Sequence, residues 1–118
     1  MATAAQIRAE QGNQVTVDFD PVWLGSQPYN LAGVTLTAYV KPSDAVPDDD
    51  PAAVVITSTP GPGGVITVTN PEAGLATLII SGSVLAEPGT LTWRLDATSP
   101  DGSSGTVAYG PVYVEQTG

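Results

Sequence analysis

Short runs of alternating apolar and polar residues, each closed by glycine or proline, dominate this chain. They point to packed β-sheets, because side chains on a strand alternate between its two faces. Residues 34–40 put Val34, Leu36, Ala38 and Val40 on one face and Thr35, Thr37 and Tyr39 on the other. Residues 90–98 place Leu91, Trp93, Leu95 and Ala97 inward and Thr92, Arg94 and Asp96 outward. Between residues 14 and 24, Val15, Val17 and Phe19 alternate with Thr16, Asp18 and Asp20 before Pro21 marks a strand end, bulge or edge. Further strands are predicted over 53–57, 65–68, 75–80 and 106–114, the last with Ala108, Val112 and Val114 inward and a bulge at Gly110 and Pro111.

The breaks between these runs carry their own chemistry. Asp101-Gly102 within 99–105 supplies the left-handed backbone that a tight hairpin needs. Residues 25–30, 60–64 and 70–74 read as turns, and 43–51 as a mobile, solvated acidic loop. The one helical candidate is a single turn over 81–87, with Ser83 as its N-cap. No repeat is evident. The spacing suits a sandwich or barrel of about seven strands. At 118 residues, 42% of them hydrophobic, the chain fits one domain with a real core. Residues 1–12 form an N-terminal arm or first edge strand, and 13–118 form the domain proper.

Charge and missing residue types exclude whole classes of function. Arg8, Lys41 and Arg94 face twelve carboxylates, a net charge of −9, so neither nucleic acid nor an anionic membrane is an expected partner. Without cysteine or histidine, disulfides, the usual zinc sites and the Ser-His-Asp and Cys-His nucleophiles cannot be built. A two-carboxylate glycosidase needs only acids, but its cleft is normally walled by aromatics, of which there are few here. The chain is therefore expected to be no enzyme and to use no cofactor and no metal. Its glycine-rich segments lack a phosphate-binding pattern. Asp48-Asp49-Asp50 lacks calcium-loop spacing and reads as a solvated charge run, with cation binding by residues 44–50 left open. The N-terminus has no basic start and apolar core, so cytosolic synthesis or export without such a signal is expected.

Contacts must then be sought among aromatics. Trp93 has the inward phase of its strand and reads as a core anchor. Trp23, with Leu24 beside it and Tyr29 close by, lies at a strand-to-loop corner that serves either core packing or contact. Tyr39, Tyr109 and Tyr113 take outward phases, and a sheet face bearing tyrosines with few charges suits a protein–protein interface. The arm, residues 2–12, either pairs at the edge of its own sandwich or adds a strand to a neighbour.

In order and spacing, residues 14–19, 30–40 (N-L-A-G-V-T-L-T-A-Y-V), 64–67, 73–78 (A-G-L-A-T-L), 88–95 (P-G-T-L-T-W-R-L) and 99–102 (S-P-D-G) resemble the small immunoglobulin-like domains of tailed-bacteriophage virions. That group includes the N-terminal module of baseplate upper proteins and short tail or adaptor proteins. The resemblance spans residues 12–115, with the Asp48–Asp50 loop and the proline-rich 60–62 connection as departures. It implies an all-β, immunoglobulin-like antiparallel sandwich. It also implies a virion structural protein, assembled in the host cytoplasm, of the tail, baseplate or fibre-attachment region. Such a protein binds other virion proteins and copies of itself. A capsid decoration protein is the near alternative; a carbohydrate-binding module reading host glycans through Trp23 and Tyr29 is the alternative of another class.

Overall fold

Each alternating run becomes a strand whose apolar residues fill the space between two sheets. A computed structural model describes residues 3–24, 26–43 and 45–116. In chain order the strands are β1 (Thr3–Ala4), β2 (Ile7–Glu10), β3 (Val15–Phe19), β4 (Trp23–Leu24), β5 (Gln27–Pro28) and β6 (Thr35–Lys41). There follow β7 (Val54–Ile56), β8 (Gly64–Asn70), β9 (Leu75–Ile80), β10 (Gly89–Thr98) and β11 (Ser104–Glu115). The larger sheet runs β1-β11-β10-β6-β7, with β2 also on β11; the smaller runs β3-β9-β8. Stacked as a sandwich, they give the immunoglobulin-like all-β fold. Neighbouring strands are antiparallel except where β1 and β2 run parallel to β11.

Register explains the core. Across the larger sheet, Trp93 lies opposite Val40, Leu95 opposite Ala38, and Ala97 opposite Leu36. All six are buried. In the smaller sheet, Ile66 and Leu78 face each other from β8 and β9, also buried. Removing such aliphatic side chains from water contributes about 1.5–3 kcal/mol each, and this layer holds the sheets together without a disulfide.

The structure departs from the sequence expectations, or decides between them, at five places. The bulge of β11 falls at Val107: Leu95 pairs with Ala108 and Asp96 with Thr106, whereas Gly110 and Pro111 pair regularly with Trp93 and Thr92. Gly110 instead serves a close approach, since a Cβ there would collide with the Ala5 carbonyl. The helical turn is a 3₁₀ segment, Gly82–Leu85, whose N-cap is Ser81. Ser83 lies inside it and donates its hydroxyl to the Pro62 carbonyl at 3.3 Å. Within the predicted 25–30 turn, where residue 25 lies outside the described residues, Gln27 and Pro28 pair back on Leu24 and Trp23 as a small hairpin.

The acidic stretch, of which residue 44 lies outside the described residues, is largely exposed to solvent, as expected, but is folded by turns. Successive turns close it, with Val46 N–H donating to Ser43 O, Asp50 N–H to Pro47 O and Ala53 N–H to Asp50 O. It covers Lys41, whose side chain is only 8% exposed and whose ammonium donates to the Val46 carbonyl at 2.8 Å. The N-terminal segment, finally, adopts the edge-strand option. Residues 3–10 pair along β11 of their own domain. The Trp93 indole N–H donates to Ala5 O at 3.1 Å, in the link between β1 and β2.

Candidate functional site

The outer face of the larger sheet gathers the residues best suited to contact. In the register of the strands, Val55 of β7 lies beside Tyr39 of β6, Tyr39 beside Arg94 of β10, and Arg94 beside Tyr109 of β11. One row therefore crosses four strands. Val55 and Tyr109 are 48% and 47% exposed, so the row ends in open apolar surface on both sides. At its centre the Arg94 guanidinium lies over the Tyr39 ring, 4.5 Å from the ring centroid, a cation–π contact.

Carboxylates fix that guanidinium. Arg94 Nη2 donates to Asp48 Oδ2 at 2.6 Å and Nε to Asp96 Oδ1 at 3.0 Å. Thr106 Oγ1 donates to the same Asp96 oxygen at 2.8 Å. Asp48 also pairs with Lys41, whose ammonium lies 6.0 Å from the Tyr39 centroid. The Arg94 hydrogen bond, then that of Lys41, lowers the Asp48 carboxyl to about 2, and the Asp48 bond in turn raises the Arg94 pKa. The charges are thus matched in place, and the face presents a preorganised array. Beside it an open depression of about 540 Å³ is bordered by Tyr39, Thr92, Arg94, Tyr109 and Pro111.

The sequence-derived candidates divide. Tyr39 and Tyr109 come together on this row. Tyr113 is on the same face, four residues further along β11, with Arg8 over its ring at 5.2 Å and Arg8 paired to Glu115 at 3.2 Å. All three cations of the chain therefore stack on tyrosines of one sheet. The Trp23–Tyr29 corner does not form one platform. Trp23 is 41% exposed, whereas Tyr29 packs on the core beside buried Val22 and shares a hydrogen bond with Ser99 Oγ at 3.1 Å. The hairpin of β4 and β5 separates them, because Tyr29 N–H bonds Val22 O and so joins the inner side of the ribbon. Leu24 pairs with Gln27 through its backbone, and its side chain lies outside the described residues.

Four contributors escaped the sequence reading: Arg94, Lys41, Val55 and Asp48. Arg94 had one signal, its outward phase shared with Thr92 and Asp96. The Asp48 contacts span 46 residues to Arg94 and leave no local trace. The three consecutive aspartates also diverge, with Asp48 turned to the cations and Asp50 Oδ1 accepting Ala52 N–H at 2.8 Å. Among the described residues no group of three His, Cys, Asp or Glu is placed to hold a metal. What the arrangement offers chemically is recognition: planar rings, a planar cation and exposed methyls.

No protein-family model and no curated protein matches the chain.

Proposed function

We propose that the chain is a non-enzymatic structural module of a bacteriophage virion, a tail, baseplate or fibre-attachment component that docks a neighbouring virion protein on the outer face of its larger sheet. The virion assignment rests on the order of sequence phrases described above. The docking face rests on one observation, the row Val55, Tyr39, Arg94 and Tyr109. Tyrosine and arginine carry much of the energy of protein interfaces, and they do so best when rotamers are already fixed. Here Asp48 and Asp96 hold Arg94 before any partner arrives, so little side-chain entropy remains to be lost. Because the cations come with their carboxylates, closing the face would leave no unpaired charge behind.

The test is incorporation. Tyr109→Ser and Val55→Ser alter exposed side chains and are expected to leave the fold intact. The double variant should fail to co-assemble with purified virion parts, with affinity reduced by about 10- to 100-fold. Mass spectrometry of separated tails and capsids locates the parent protein, and recovery in capsids alone would replace the tail assignment with head decoration. Wild-type incorporation of the double variant would remove the sheet face from the contact.

A further inference from the structure

The side of the sandwich between β2 and β3 is closed less completely than its surroundings. Val15, Val17 and Phe19 have the inward phase of β3 and lie opposite Ile80, Leu78 and Ala76 of β9. They are only half-buried, whereas their three partners are buried. The cause is that β3 has a neighbour on one side only; its other edge pairs with no strand among the described residues. Across from that edge, β1 and β2 are held back on β11. A slot of about 310 Å³ opens between the sheets, walled by Ile7, Val17, Phe19 and Val107, with Trp93 bordering it and exposed Trp23 along its rim. Asp18 and Asp20 border it too. Asp18 accepts the Thr77 hydroxyl at 3.1 Å, and neither carboxylate has an ion-pair partner among the described residues.

These features specify one kind of occupant. An unpaired strand edge accepts an extended backbone. A strand added there sends alternate side chains into the slot and the others toward the rim. The slot takes apolar groups, and the rim, which carries two carboxylates and is lined by no lysine or arginine, takes cations. We propose that this side docks an extended segment of a partner protein, with apolar residues alternating with lysine or arginine, as an additional strand on β3. The chain's own residues 3–10 are already paired with β11, and its three cations are engaged on the other sheet. A second copy would also bring a charge of −9 against the same rim. The site is separate from the tyrosine face and does not depend on it.

NMR titration of the full chain tests this with a blocked octapeptide of alternating valine and lysine. Companion peptides carry glutamate for lysine, N-methyl groups on the valines, or N-methyl groups on the lysines. Expected are shifts of the Val15–Phe19 amides and of the Trp23 and Trp93 indoles. At least one N-methylated peptide should lose binding, since one edge of the peptide must donate to β3. Asp18→Asn with Asp20→Asn should weaken the lysine peptide by about three- to tenfold, and Tyr109→Ser should leave it unchanged. The proposal is overturned by no shifts with the lysine peptide, by shifts confined to the Tyr39–Tyr109 face, by equal binding of the glutamate peptide, or by both N-methylated peptides matching the parent.

Discussion

Trp93 joins three parts of the molecule with one side chain. Its ring is buried between the sheets, 6.0 Å from the Phe19 centroid, while its indole N–H ties down the Ala5 carbonyl of the link between β1 and β2. Packing and hydrogen bonding can be separated there by substitution. Trp93→Ala is expected to cost about 3–5 kcal/mol. Trp93→Phe keeps much of the apolar volume but deprives Ala5 O of its donor, for about 1–2 kcal/mol. Urea denaturation followed by circular dichroism measures both, and a Phe variant as stable as the parent would assign the indole N–H no role. Asp48 gives the residue scale a pH dependence. Its carboxyl lies below the ordinary value of 3.8, at about 2, so over that interval the unfolded chain binds more protons than the folded one. The stabilisation is therefore complete above about pH 5 and is lost as pH falls through 3.8 toward 2. Asp48→Asn should flatten the stability profile in that window and leave its shape above it unchanged, as read from denaturation midpoints at successive pH values.

At the scale of elements, the bulge makes the sharpest prediction. Val107 is an extra residue on β11, so deleting it brings Thr106 and Ala108 into continuous register with Asp96 and Leu95. The inside–outside phase is kept, and the expected loss is about 1–3 kcal/mol for one buried valine. Deleting Pro111, which pairs regularly with Thr92, reverses the phase of one part of β11 and should abolish folding. Thermal melts of the two deletions should differ accordingly; equal melts would mean the bulge does not set the register. The same contrast shows what the sequence made legible. Alternation located β3, β6, β9 and β10 within a residue or two, and it put Tyr39, Tyr109 and Tyr113 on an outer face, because burial on a strand has a period of two. The bulge was misplaced because glycine and proline signal backbone exceptions, whereas Val107 looks like any strand residue. The split of Trp23 from Tyr29 was hidden because a two-residue hairpin is too short to show a period. The clamp of Asp48 on Arg94 leaves no mark in the sequence because ion pairs across 46 residues are chosen by the fold.

For the whole molecule, charge is as unevenly spread as the aromatics. The cations share one sheet face, and the net charge of −9 falls mostly on the remaining surface. Copies should therefore repel at neutral pH and low salt. Self-association measured by sedimentation velocity is expected to strengthen as salt rises or as pH approaches the isoelectric point near 4.1. Association that weakens with salt would show instead that opposite charges on different copies hold them together. The parallel pairing of β2 with β11 has a mechanical side. Ile7 through Glu10 run alongside Val112 through Glu115 in the same direction, so Thr3 and Glu115 leave opposite ends of that ladder. Tension between them slides the two strands past each other. The ladder's bonds bear such a load side by side and must fail together, whereas a pulled hairpin peels open one bond at a time. A load applied at Thr3 and Glu115 is held, along this seam, by a splice rather than a zip.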